Sequence, residues 1–161
     1  MFSKIFISPH PDDECLFGAY TIQRDKPDLF VFRDRAAIWR CDETRAAMEW
    51  LELSQEKIHF IDTFNQLPNV KDVETVYAPA MQGGHQYHDE VCKRAILQYG
   101  PKVIFYATYD RYKSEPPFGR WKVDATERMK KRKIEALVYY ESQRKIAAIH
   151  FNLISKDEYY F

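Results

Sequence analysis

The stretch Ile7-Ser-Pro-His-Pro-Asp-Asp-Glu-Cys15 sets one imidazole and three carboxylates directly after a short apolar run. Three successive acids repel one another, so a fold that keeps them together must bring positive charge among them, from a side chain or from an ion. Lys4-Ile-Phe-Ile-Ser8 reads as a buried strand, and the polar cluster as the point where that strand gives way to a helix. His10 suits the N-cap, Pro11 the first helical position, and Asp12, Asp13 and Glu14 the first turn. Acids there favour the helix dipole by about 0.3–1 kcal/mol each. That accounts for the acids, but not for a histidine three residues before an aspartate at the mouth of a strand. On a helix His10 and Asp13 are i and i+3 and can converge on one point, while Asp12 is turned from Asp13 by about 100°. One carboxylate can then hold a cation while its neighbour stays free for proton transfer, as hydrolysis by a metal-activated water requires.

The rest of the chain supplies alternating strands and helices. A helix from Pro11 to about Arg24 is followed by a strand at Asp28–Arg33. Asp42 then caps a helix to about Leu53, and a third strand covers Lys57–Asp62. Thr75–Pro79 reads as a short fourth strand, His88–Tyr99 as a helix stopped by Gly100-Pro101, and Lys102–Thr108 as a strong fifth strand. Asp124-Ala-Thr-Glu127 reads as a capping box opening a helix to about Lys145, and a last strand is expected around Ala148–Ile154. This order predicts an α/β fold: a single Rossmann-like domain over residues 1–161, with a mostly parallel sheet and helices on both faces. Tyr112–Gly119 is expected to be a surface loop.

Composition narrows the function classes. Lys plus Arg and Asp plus Glu are both 24, so no global field draws the chain to nucleic acid or an anionic membrane. Three widely spaced cysteines argue against a disulfide framework. The start of the chain runs too quickly into polar residues for a signal peptide, and no stretch approaches a transmembrane span. The expectation is a reduced, soluble, cytoplasmic protein.

A catalytic metal site needs a third ligand and an open position. Of five histidines, His59 and His150 sit in apolar strand-like runs and read as structural. The remaining pair lies in Gly83-Gly-His-Gln-Tyr-His-Asp-Glu-Val91, where His85 and His88 are also i and i+3 at the start of a helix. HxxH alone is weak evidence. Beside HxxD at another strand end it is considerably stronger.

Together these segments resemble the LmbE-like (PIG-L) family of N-deacetylases. Pro9–Glu14 matches the family signature closely, and Val76–His88 resembles its second block. Weaker similarity runs through Arg40–Glu43, Val123-Asp124 and Glu135–Gln143. The resemblance implies a zinc-dependent hydrolase that removes an acetyl group from an N-acetylated amino-sugar or sugar-conjugate substrate by attack of metal-bound water. It further implies His10, Asp13 and His88 as metal ligands, Asp12 as general base, His85 as stabiliser or acid for the tetrahedral intermediate, and Arg40 as a substrate contact.

The chain also departs from the family. Gln86 and Tyr87 replace the usual Pro-Asp between the two histidines, and the Gly-rich stretch after the first motif is reduced to Gly18, with Tyr20 expected to bring a bulky ring toward the pocket. The connections at Asp62–Thr75 and Tyr109–Trp121 look shortened, which suggests an open site, completed by a second subunit of a homo-oligomer or suited to a large substrate. Two histidines and one carboxylate also suit Fe2+, and a non-catalytic metal-binding domain is a further alternative. Arg128-Met-Lys-Lys-Arg-Lys133 reads as a solvated helix face rather than a nucleic-acid surface.

Overall fold

The computed structural model describes residues 2–33, 37–83, 85–108, 119–143 and 157–161. The last strand expected near Ala148–Ile154, His150 and most of the Tyr112–Gly119 loop lie outside the described residues. The final helix, expected to run to about Lys145, ends at Leu137, where the chain turns and brings the Tyr140 hydroxyl to Glu14 at 2.6 Å. The helix–strand alternation gives β1 (Phe2–Ser8), α1 (Asp13–Asp25), β2 (Asp28–Phe32), α2 (Arg40–Trp50), β3 (Ile58–Ile61), β4 (Val73–Pro79), α3 (Gln86–Tyr99), β5 (Val103–Tyr106), β6 (Trp121–Lys122), α4 (Glu127–Leu137) and β7 (Tyr159–Tyr160). Sheet order is β3-β2-β1-β4-β5-β7-β6. The first five strands in that order pair in parallel, and β7 pairs antiparallel with both β5 and β6.

The strand alternation sorts the core into two layers. Phe6, Leu29, Val31, Tyr77 and Tyr106 face a cluster that includes Leu16 and Tyr20 of α1, Ala47 and Met48 of α2 and Ala136 of α4. Ile5, Ile7, Phe30, Phe32, Val76 and Ala78 face the other way, onto Val91, Ala95 and Tyr99 of α3. The expected parallel sheet covered on both faces is therefore present. The chain leaves β1 toward β2 on one side and returns as β4 on the other. The crevice between the carboxyl ends of β1 and β4 is the switch point where ligands collect in such sheets.

Several boundaries differ from expectation, each for a local reason. His10 does not cap α1; Asp12 does, because the chain makes one more strained turn before becoming helical. α2 begins at Arg40 rather than after Asp42, with no side-chain cap on Trp39. Thr126, not Asp124, caps α4, accepting from the Met129 N–H at 3.2 Å. β6 and β7 are two residues each and carry too little pattern to be read from sequence. The Tyr20 ring lies in the core, with Lys133 Nζ 4.8 Å from its centroid, rather than in a pocket.

The basic run on α4 also divides. Arg128 and Arg132 pair with Glu52, Lys130 with Glu127 and Lys131 with Glu135. Lys133 is instead fully buried, donating to Glu158 Oε1 at 2.9 Å and to the Leu16 carbonyl at 2.7 Å. Burial pushes the Glu158 carboxyl up, against the pull of the Lys133 charge. Removing one member of such a pair strands the other charge. Lys133→Met is expected to cost about 3 kcal/mol in urea denaturation. Adding Glu158→Gln should recover part of that loss, because no uncompensated charge then remains buried.

Gly18 marks the closest approach of α1 to β1. A Cβ there would overlap Phe6 Cζ, and the Phe6 ring is itself held by stacking on Tyr106 at 4.7 Å. Gly18→Ala is expected to destabilise by about 2 kcal/mol through overpacking, as read from the denaturation midpoint.

Candidate metal centre

The turn after β1 is built around Glu14. Its carboxylate is buried and accepts from the Asp12 N–H at 3.1 Å, Thr44 Oγ1 at 2.9 Å and Tyr140 OH at 2.6 Å. Ser8 Oγ lies 2.7 Å from Glu14 Oε2 and 2.7 Å from the His10 carbonyl. Burial raises the Glu14 carboxyl above its ordinary range, opposed by these donors. Sequence reasoning assigned Glu14 only a place in the first turn. Its position as the third acid after a strand was visible, but its partners Thr44 and Tyr140 come from distant segments.

Anchored in this way, the backbone at Asp12 adopts φ 133° and ψ −33°, a region that costs a non-glycine residue about 1–3 kcal/mol. The next residue, Asp13, opens α1 and turns its carboxylate back toward His10. Asp13 Oδ2 lies 3.0 Å from His10 Nδ1 and 3.0 Å from His88 Nε2, and the two ring nitrogens are 3.2 Å apart. The same oxygen accepts from the His10 N–H at 3.1 Å. Burial acts to raise the Asp13 carboxyl, but the charges and hydrogen bonds of His88 and His10 outweigh it and hold it well below the ordinary carboxylate range.

β4 brings in the second half. Beyond it, Gln82 Oε1 accepts from the Thr108 N–H at 2.5 Å and lies 3.1 Å from Thr108 Oγ1, tying this loop to the end of β5. The Asp89 carboxylate accepts from the Gly83 N–H at 3.2 Å. His85 precedes α3, and His88 lies in its first turn and is buried. The imidazoles stack with centroids 4.3 Å apart, and His85 lies 4.8 Å from His10. One ring nitrogen each of His10, His85 and His88 falls within 4.8 Å of the others. Tyr87, where the family pattern has an acid, packs at 5.3 Å from His10 and 5.8 Å from Phe32.

The donor set fits a small divalent cation. Tetrahedral ligands about 2.0–2.1 Å from zinc stand about 3.3 Å apart, close to the 3.0–3.2 Å edges of the His10–Asp13–His88 triangle. Two imidazole nitrogens and a carboxylate oxygen facing one point are a typical ligand set for such an ion. The His10 side chain is 27% exposed, against 3% and 4% for His88 and Asp13, so the triangle is open on the His10 side.

Asp12 is next in sequence to Asp13, and its carboxylate pairs with Arg40. Its Oδ1 is 3.2 Å from Arg40 Nη2, which also donates to the Pro11 carbonyl at 2.5 Å. Burial raises the Asp12 carboxyl well above its ordinary value, reinforced by the charge of Asp13 and opposed by Arg40. Arg40, expected to contact substrate, is itself only 9% exposed. His59 lies away from this cluster, paired with Asp28 at 3.2 Å and stacked on Phe30.

Neither a family model nor a curated protein matches this sequence. Solved structures do. A deacetylase triple mutant (Orf2*T) from the teicoplanin biosynthetic pathway aligns with a TM-score of 0.68 and 19% identity, over 90% of this chain and 84% of that one. N,N'-diacetylchitobiose deacetylase from Pyrococcus horikoshii aligns at 0.60 and 20%, over 88% and 71%. The chain has the LmbE-like fold. GalB, the 4-carboxy-2-hydroxymuconate hydratase from Pseudomonas putida, aligns at 0.62 and 14%, over 94% and 84%. The LmbE-like fold thus carries more than one reaction, and function has to be argued from the site.

Proposed function

We propose that the protein is a metal-dependent de-N-acetylase acting on an N-acetylated amine of the amino-sugar type. The observation that carries this is the triangle of His10 Nδ1, Asp13 Oδ2 and His88 Nε2, 3.0–3.2 Å on each edge, open toward His10 and flanked by a second carboxylate. His10, Asp13 and His88 would hold the ion. Bound there, a divalent cation supplies Lewis acidity toward a carbonyl oxygen and an acidified water. Asp12, next in sequence to a ligand and paired with Arg40, accepts the proton of the attacking water. His85, stacked on His88 at the rim, stabilises the developing oxyanion and returns a proton to the leaving nitrogen. Water adds to the acetyl carbon, the C–N bond breaks, and acetate and a free amine leave.

The amino-sugar class is supported by the fold shared with a diacetylchitobiose deacetylase. Zn2+ is the proposed ion, and Fe2+ is the alternative that the same two nitrogens and one carboxylate oxygen accept. Among the described residues no helix is long and apolar enough to cross a membrane. We place the substrate among N-acetylated sugars and sugar conjugates.

The test is acetate release over a panel of N-acetylated sugars and sugar conjugates, using metal-stripped protein and protein restored with Zn2+ or Fe2+. Activity that vanishes on stripping and returns with one of the two metals is the expected result. Restored metal without acetate release from any substrate, but with hydration of an enol or alkene acid of the GalB type, would replace this reading with a hydratase.

A further inference from the structure

We propose that Arg40 is a positioning residue for Asp12 rather than a contact for substrate, an inference that rests on the deacetylase reading above. Arg40 is the first residue of α2, where a positive charge opposes the helix dipole. Its side chain runs inward from that position, and the single nitrogen Nη2 reaches two acceptors on one strained unit. It donates to the Pro11 carbonyl at 2.5 Å and lies 3.2 Å from Asp12 Oδ1. Those two acceptors flank the φ 133° turn at Asp12. The other groups of that turn are held from elsewhere. The Asp12 N–H donates to Glu14 at 3.1 Å, and the Asp12 carbonyl accepts from the N–H groups of Cys15 and Leu16 at 3.0 and 2.9 Å.

The division of roles follows. Glu14 and the first turn of α1 fix the Asp12 backbone, and Arg40 fixes its carboxylate. With Oδ1 engaged by the guanidinium, proton transfer falls to the other oxygen. Being only 9% exposed, Arg40 has little surface left for a substrate. A residue that breaks a local preference without a local gain is where function is expected to be sited, and here the gain lies at the neighbouring strand end, in the Asp12 carboxylate of the turn after β1.

The experiment compares wild type, Arg40→Ala and Arg40→Lys by steady-state acetate release, bound-metal content and crystal structure. In Arg40→Ala kcat should fall about 100-fold, the order expected for a misplaced catalytic group. KM should be nearly unchanged for both a small and a large substrate, metal content should match wild type, and added guanidinium should restore part of the rate. The Asp12 carboxylate should leave its wild-type position in the crystal. A raised KM with kcat retained would make Arg40 a substrate contact and overturn the proposal. So would an unmoved Asp12 carboxylate. Should Arg40→Ala fail to fold, Arg40→Lys carries the same comparison: lowered kcat at constant KM supports positioning, and raised KM at constant kcat overturns it. If wild type releases no acetate from any substrate, the deacetylase reading falls, while the position of Asp12 in the variant crystal still decides what Arg40 does.

Discussion

Asp12→Asn is expected to keep its full complement of metal and to lose about 10²- to 10⁴-fold in kcat, the range that a positioned general base contributes. The reason is geometric. The three atoms of the metal triangle belong to His10, Asp13 and His88, and none to Asp12. Asn preserves the size of the side chain, and its amide oxygen can still accept from Arg40 Nη2, now 3.2 Å from Asp12 Oδ1. What is lost is the ability to take a proton. Parallel measurement of kcat and bound zinc separates the cases: metal loss would make Asp12 a ligand, and wild-type turnover would remove it from the mechanism.

His88→Ala should have the opposite signature, with both metal and activity lost. His88 is buried and supplies one corner of the triangle, with Nε2 3.0 Å from Asp13 Oδ2. With two protein ligands left, affinity should fall by more than the roughly 10–100-fold that removal of an outer-shell partner costs. Metal analysis after dialysis reads this directly. The fold should survive, because the α3 contacts with the sheet are made by Val91, Ala95 and Tyr99 rather than by His88. A variant that retains one ion per chain would show that the ion sits elsewhere. Were His85 able to take the place of His88, the double variant with His85→Ala would lose the metal that the single variant kept.

Much of the scaffold is readable in the chain. Ile5, Ile7, Val31 and Val76 mark strands by their apolar runs, and the regular spacing of helices between strands implies a parallel sheet. The same reading placed HxxD after the first strand and HxxH after the fourth. Helix starts moved by a few residues. Asp42 and Asp124 are good caps by type, yet α2 starts at Arg40, whose side chain reaches across to the turn after β1, and α4 starts after Thr126. Lys133 read as one more charge on a solvated face because its partner, Glu158, lies 25 residues further along the chain.

Sequence by itself therefore determined the chemistry available: which imidazoles and carboxylates exist, and that each pair follows a strand. Those are local properties, set by residue type and by i, i+3 spacing. Only the tertiary structure decided that the two pairs meet, because strand order, not chain order, puts β4 beside β1 and carries His88 across 78 residues to within 3.2 Å of His10. It also decided that Arg40 turns inward to Asp12 and that Glu14 anchors the turn. Both outcomes depend on which distant donors and acceptors burial brings into hydrogen-bonding range, and no local pattern encodes that.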